Sequence, residues 1–352
     1  MPMTSTPLQR SPSSIPPVVL NRPLRECVGR VDACSQYHHR ISVDGKYSLD
    51  FEGYYQRRKQ RRGTPRSPWG NASIPAPAQN VPRRATMKPK QVPVYHVIDG
   101  LKYCTGYTAE NVRQALSYMP KDGDIVMVSY VKVGNNWLEQ IIQLILYRGE
   151  SATGTLDYHM RTPYPELVGT AWLEQMPSPR FMKTHFDYSR QPINPKARYV
   201  YLARNPLDVC VSFYHFTRSL EAYKFQDGSF DDFFEIFVNG ETDWGDYLDH
   251  LASWYARRED DNVLFVTYEQ LKKDFRTTVL KVARFLGSHY EDTLLNEPGV
   301  FQQLEEKSSI PFMTKLLEVD EKTASDTKLS RTIKCTAPCS DFCATRRAKY
   351  VA

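Results

Sequence analysis

The stretch DIVMVSYVKVGNNWLEQIIQLIL, residues 124–146, changes its hydrophobic period halfway along. Asp124 to Tyr130 is a short apolar run rich in β-branched residues, the composition of a buried strand. After the break KVGNN, apolar residues fall at Leu138, Ile141, Ile142, Ile145 and Leu146, the i, i+3, i+4, i+7, i+8 spacing of one helical face, which Gly149 ends. The turn between them carries Lys132 and Gly134. Exposed amides at a helix start, the positive end of the helix dipole and a lysine together form an anion cradle. This is not the nucleotide triphosphatase loop G-x-x-x-x-G-K-[ST]: Lys132 precedes the glycine, and no hydroxyl follows to hold Mg²⁺. One Lys and one Gly after a strand are weak evidence alone, so the neighbouring segments decide.

The same alternation recurs downstream. RYVYLA (198–203) reads as a strand, followed after Arg204-Asn205-Pro206 by a helix through LDVCVSFYHFTR, with Pro206 suited to a first helical turn. NVLFVT (262–267) is another strand, and Phe275, Val279, Val282, Ala283 and Leu286 form the helical stripe after it, closed by Gly287. Arg180 to His185 reads as a short strand that delivers Lys183 and His185 to its end. The expected fold class is therefore α/β: a central parallel sheet flanked by helices, with a phosphate-binding strand–loop–helix of P-loop-like topology. Ligands of such sheets bind at the carboxyl ends of the strands. There, Arg204 offers a fork of donors for a phosphate and Ser212 a hydroxyl. His185 alone reads as an ordinary structural histidine; beside Lys183, and without metal-ligand spacing to another His, it becomes a candidate general base.

Outside this region the composition shifts. Residues 1–90 hold 16 Lys or Arg against five acidic residues and 12 of the 24 prolines, so a net charge of +6 conceals a basic arm and an acidic remainder. Segments such as SPSSIPPVV offer no periodic apolar face, and 1–90 is expected to be a largely disordered, solvated arm. Its basic run at Arg57, Arg58, Lys59, Arg61 and Arg62 also admits a nuclear address, RNA or an anionic membrane surface, but nucleic acid is not the expected partner. The folded domain is expected over 91–318, and 319–352 as a divergent, flexible tail. No transmembrane run and no secretory signal are read, so the expected location is cytoplasmic. Seven cysteines do not make a disulfide framework; Cys335, Cys339 and Cys343 recur at a spacing that suits a metal cluster or simply three thiols in the tail. Asn71-Ala72-Ser73 is a chance glycosylation tripeptide.

From about residue 93 to 315 the chain resembles the cytosolic sulfotransferase family, which moves the sulfuryl group of 3′-phosphoadenosine 5′-phosphosulfate (PAPS) onto an alcohol, phenol or amine. YVKVGNNW is similar to its Y-P-K-[ST]-G-T-T-W loop, PRFMKTHF to its P-R-[LF]-x-K-[ST]-H-[LF] segment, and YLARNPLDVCVSFYHF to its Y-[VL]-x-R-N-x-x-D-x-x-V-S-x-Y-x-F segment. VTYEQLKKDFR and FVNGETDWGDYLDHLASWY match two further motifs in register. The resemblance implies that Lys132 neutralises charge on the leaving bridging oxygen while amides from Gly134 through Asn135 to Asn136 hold the phosphosulfate. It implies that Trp137 stacks on adenine with Tyr268 and Phe301 near the base, and that Arg204 and Ser212 hold the 3′-phosphate. His185 would take the acceptor's proton, Lys183 would stabilise the transferring group, and no metal would be needed. The acceptor would be a small, mainly apolar molecule; Phe186, Tyr188, Tyr223, Phe225 and Trp172 are candidates to line its pocket.

Several positions depart from the family. Val131, Val133, Asn135 and Asn136 replace Pro, Ser or Thr, Thr and Thr in the loop, so a side-chain donor is lost at Val133. In SSIPFMTKL (308–316), similar to the late F-M-R-K-G motif, Thr314 stands for Arg and Leu316 for Gly, and only Lys315 is retained as a nucleotide-binding candidate. The family dimer motif is absent, so the sequence assigns no oligomeric state. These departures keep a second expectation in view, a catalytically impaired relative that binds nucleotide or regulates; a third, an RNA-associated protein working through its basic arm, rests on composition alone.

Overall fold

Ile125, Val126, Met127 and Val128 are all enclosed, the pattern of a strand covered on both faces rather than one. In the computed structural model, which describes residues 90–318, this strand, β3 (Ile125–Ser129), lies in a four-stranded sheet. Its companions are β4 (Phe181–Thr184), β5 (Arg198–Ala203) and β6 (Val263–Thr267), in the order β4-β3-β5-β6 and all parallel. A two-stranded antiparallel hairpin, β1 (His96–Ile98) and β2 (Leu101–Tyr103), precedes it. The readings placed on the basic arm, on Asn71 and on Cys335, Cys339 and Cys343 lie outside the described residues.

The strand order fixes where a ligand can sit. From β3 the chain moves outward to β4, then returns across β3 to β5 and continues outward to β6. Adjacent strands β3 and β5 thus send their following loops in opposite directions, which opens a crevice at their carboxyl ends. Ser129 pairs in register with Leu202, and Ala203 with Thr267, so the loops after β3, β5 and β6 start at one level. At the other end of the sheet, Arg180 grips Asp124 through two bonds of 2.9 and 2.7 Å, both side chains buried, and ties the starts of β3 and β4 together.

The helices form where the apolar spacing predicts. After α1 (Ala109–Ser117), α2 (Asn135–Leu146) buries Leu138, Ile141, Ile142 and Ile145. Each such side chain contributes about 1.5–3 kcal/mol on burial. Two short helices follow, α3 (Thr155–Arg161) and α4 (Pro165–Val168), then α5 (Pro206–Ser219), whose cap Asn205 accepts from the Leu207 amide. Next come α6 (Phe230–Val238), α7 (Tyr247–Tyr255) and α8 (Tyr268–Lys273), the last opened by a capping box of Thr267 and Gln270. Helices α9 (Phe275–Leu286), α10 (Ser288–Asn296), α11 (Pro298–Lys307) and α12 (Ile310–Leu316) complete the described chain. Helix α12 is packed: Leu316 lies against Ala152 and Tyr158, and Thr155 Oγ1 donates to the Leu316 carbonyl at 3.0 Å. No described helix is long and apolar enough to cross a membrane.

Candidate active site

The turn after β3 is shaped by two left-handed residues, Lys132 at φ 65° and Gly134 at φ 106°. Glycine takes that conformation freely; lysine is held in it at a cost, which loops of this kind bear when their geometry serves a ligand. Gly134 is required for space as well. A Cβ there would fall 2.7 Å from Cδ2 of Tyr268. The N-terminus of α2 has no side-chain cap; its first committed amide is that of Trp137, which donates to the Gly134 carbonyl at 3.0 Å, so the amides before it have no helical acceptor. The buried hydroxyl of Tyr130 anchors the turn by donating to the Gly245 carbonyl at 2.9 Å, with Thr242 Oγ1 at 2.8 Å.

Tyr268, first residue of α8, joins the three loops. Its ring meets Gly134, makes an edge contact with Trp137 at 5.4 Å, and carries the Arg204 guanidinium 4.3 Å above it. Arg204 also reaches Asp208 at 3.6 Å, and its Nε is buried with no partner among the described residues. A buried, unpartnered guanidinium N–H in a positively charged crevice suits an anionic oxygen. Lys132 Nζ rests 4.4 Å from the ring of Phe216, one helical turn beyond Ser212 on α5.

His185 follows β4 and is buried. Its Nδ1 lies 2.7 Å from the Ser129 carbonyl oxygen, which only accepts, so Nδ1 carries the hydrogen and Nε2 the lone pair. Burial pushes its pKa down to about 3, aided by the charge of Lys183 and opposed by the Ser129 bond, and the ring is neutral near pH 7. The segment is held from three sides. Glu166 Oε1 accepts from the His185 amide at 3.0 Å and from the Thr184 hydroxyl; His250 Nε2 donates to the His185 carbonyl at 3.1 Å; Trp254 donates to the Phe186 carbonyl at 3.1 Å. Around the imidazole stand Tyr164 at 5.0 Å and Trp244 at 5.5 Å, with Tyr107 edge-on to both. Trp244 sits at φ 67°, and its indole N–H is buried with no partner among the described residues.

The structure thus gathers Lys132, Gly134, Asn135, Asn136, Trp137, Arg204 and Tyr268 at one crevice, with Ser212 on the helix beside it and His185 and Lys183 at the next strand end. At four points the structure gives a candidate surroundings that the sequence did not foretell. Asn135 turns back, its side-chain amide donating to the Tyr130 carbonyl at 3.3 Å, so it braces the loop. Phe301 is buried with the Arg276 guanidinium 4.2 Å over its ring, and Phe275 instead stacks on Trp137 at 6.0 Å and 17°. Lys315 is exposed and takes no part in these contacts, while the Thr314 hydroxyl donates to the Ile310 carbonyl of its own helix at 2.9 Å. Phe186, Tyr223 and Phe225 are core, Tyr188 packs on Trp254, and Trp172 is 39% exposed; the aromatic cluster at His185 is Tyr164, Trp244 and Tyr107. Sequence reasoning passed over Trp244, although it lies in a motif already singled out, and Glu139, which pairs with Lys183 at 2.7 Å. Among the described residues no group of His, Cys, Asp or Glu could hold a metal ion.

A parallel sheet with an anion-cradling turn at its switch point, and a neutral buried histidine beside a lysine at the neighbouring strand end, defines an α/β transferase acting on an anionic donor. The family model described as the sulfotransferase domain matches residues 122–334, well over half of the chain, and the chain belongs to that family. It is 32% identical to human sulfotransferase 2A1 over 232 residues, covering 63% of this chain and 80% of that protein. It is 32% identical to human sulfotransferase 1C2 over 203 residues, covering 54% of this chain and 67% of the relative, and 36% identical to rabbit amine sulfotransferase over 174, covering 47% and 56%. Mouse sulfotransferase SULT7A1, solved with PAP (adenosine 3′,5′-bisphosphate), superimposes with a TM-score of 0.50 at 26% identity over 62% of this chain and 76% of that one. The family match runs past Glu318 into the segment read from sequence as divergent.

Proposed function

We propose that this chain transfers the sulfuryl group of PAPS to a hydroxyl or amine of a small, mainly apolar acceptor. The observation that carries this reading is the tautomer of His185: with Nδ1–H committed to Ser129, Nε2 is a base beside the donor turn. When bound, PAPS supplies an activated sulfuryl group. The chain's part is to position and neutralise it. Amides at the start of α2 and the Asn136 side chain hold the phosphosulfate, and Lys132, moving off the face of Phe216, meets the bridging oxygen as charge develops there. Arg204 and Ser212 hold the 3′-phosphate, and half-buried Trp137 with Tyr268 receives the adenine. His185 Nε2 takes the proton of the acceptor, whose apolar body lies among Tyr107, Tyr164 and Trp244. Free, buried thiols at Cys104 and Cys210 accord with a cytoplasmic protein.

The test is turnover of PAPS by the full chain against a panel of phenols, alcohols and amines, with PAP and sulfated product both measured. The expected result is product formation with at least one acceptor. PAP binding without turnover of any acceptor replaces this reading with that of a nucleotide-binding relative, and absence of both overturns the donor assignment.

A further inference from the structure

Lys183 does not enter the site as a lone cation. Its Nζ lies 2.7 Å from Oε2 of Glu139, which projects from α2 and is fully buried. The other oxygen, Oε1, is buried with no hydrogen-bond partner among the described residues. Two buried charges in contact neutralise one another, and each is tolerated in the interior only because the other is there. A sulfuryl group reaching Lys183 upsets that balance, because one ammonium then serves two anions where water cannot screen them. The carboxylate cannot retreat to solvent from the interior face of α2. Resting on the reading above, in which Lys183 meets the sulfuryl group, we infer that Glu139 is a proton-linked counter-ion: it holds Lys183 while the donor is absent and takes up one proton when the sulfuryl group engages that ammonium. No other bond changes; the carboxylate and a proton from solvent become a carboxylic acid.

The surroundings agree with this. Burial raises the Glu139 pKa and Lys183 acts the other way; the Tyr158 hydroxyl donates to the Asn136 carbonyl at 3.0 Å and gives Oε1 no hydrogen bond. From α3, His159 is pushed down to about 3 by burial and by Lys183, and His185 likewise, so neither accepts a proton near pH 7. Glu166, raised by burial to about 7 with Lys183 among the influences lowering it, is the other group able to respond, and a variant must separate the two.

The experiment is calorimetric titration of PAPS into the full chain, without acceptor and near pH 7, in phosphate and in Tris, whose ionisation enthalpies differ widely. Glu139→Gln keeps the shape and removes the charge. The expected outcome is that wild type takes up about one proton more than Glu139→Gln on binding PAPS; the nucleotide's own titration is common to both and cancels. Equal uptake in the two proteins overturns the inference and leaves the donor reading standing, whereas failure of PAPS to bind either overturns both. Should the variant not fold, infrared difference spectra of wild type on adding PAPS decide: loss of a carboxylate band with gain of a protonated carboxyl band supports the counter-ion role, and absence of that change overturns it.

Discussion

Nδ1 of His185 and the carbonyl oxygen of Ser129 lie 2.7 Å apart, although the residues are 56 positions apart in the chain. The contact exists because β3 and β4 pair in parallel with Val128 opposite Thr184, so the last residue of one strand faces the first beyond the other. A backbone acceptor at that point, with the Ser129 hydroxyl 3.4 Å from the same nitrogen, selects the tautomer and aims Nε2.

His185→Ala is expected to lower turnover by about 10²- to 10⁴-fold while nucleotide affinity stays within a fewfold of wild type, since the imidazole acts on the acceptor. Because burial holds the ring near 3, it stays in its basic form where an ordinary histidine, at about 6.5, would titrate. The His185-dependent part of kcat/KM should therefore be flat between about pH 5 and 7. Steady-state rates across that range check this, and a titration with midpoint near 6.5 would refute it.

Gly134→Ala meets two obstacles, the left-handed φ and a methyl 2.7 Å from a Tyr268 ring pinned by Arg204 and Trp137. The strained backbone alone costs about 1–3 kcal/mol. The expected outcome is a drop in PAP affinity of about tenfold or more by calorimetry. Gly134→Ala with Tyr268→Ala should recover the steric part of the stability loss, measured by denaturation, and leave the backbone part.

What could be read from the sequence was what is local. The strand at Ile125–Ser129, the helix from Asn135 and the strand–helix pairs after Arg198 and Val263 follow from period and turn chemistry within a few residues, and the parallel sheet follows from their alternation. Lys132, Gly134, Lys183, His185, Arg204 and Ser212 could be singled out at the strand ends for the same reason, whereas Trp137, Tyr268 and Phe301 came only from the family resemblance. Partners supplied by distant segments were not. Glu139 carries no sign, in a helical stripe, that it will face Lys183 from another element; Phe275, which follows β6, stacks on Trp137, which follows β3, although β5 lies between those strands; and Trp244 reaches His185 from a loop whose course period cannot predict. Phe186, Tyr223 and Phe225 mislead in the opposite sense, because an aromatic near a strand end looks the same in sequence whether it lines a pocket or fills the core.

Arg204→Ala should weaken PAP by about one to two decades, the worth of one charge-assisted contact of roughly 1.5–3 kcal/mol, and leave adenosine 5′-phosphate nearly unchanged. The Thr314 hydroxyl is engaged on its own helix, and Thr314→Arg would place a guanidinium on a packed segment of α12. It should tighten PAP and leave adenosine 5′-phosphate unaffected if α12 borders the 3′-phosphate. An unchanged PAP affinity would show that Arg204 and Ser212 bind that phosphate without help from this helix.

Glu166 and Asp243 give a stability signature of unusual sign. Both are fully buried; burial raises each to about 7, against the hydrogen bonds Glu166 accepts from Thr184 and the His185 amide and Asp243 accepts from the Tyr223 hydroxyl. In the unfolded chain they titrate at about 4.3 and 3.9. Between those values and 7 the folded protein holds protons that the unfolded chain has released, so their contribution is full below about pH 4 and is lost as pH rises toward 7. Half-buried His159 and buried His185, near 3, and His250, near 4, act oppositely: the unfolded chain binds protons below about 6.5 that the folded one does not, and stability falls as pH drops through the same window. The two sets offset one another, and the wild-type profile over this range should be shallow. Glu166→Gln, which can still accept from Thr184 and His185 through its amide oxygen, removes one member. Its stability relative to wild type should rise with pH between about 4.5 and 7, with a slope approaching roughly 1.4 kcal/mol per pH unit. Urea denaturation at several pH values measures that difference, and a pH-independent difference would mean that Glu166 is ionised in the folded protein throughout.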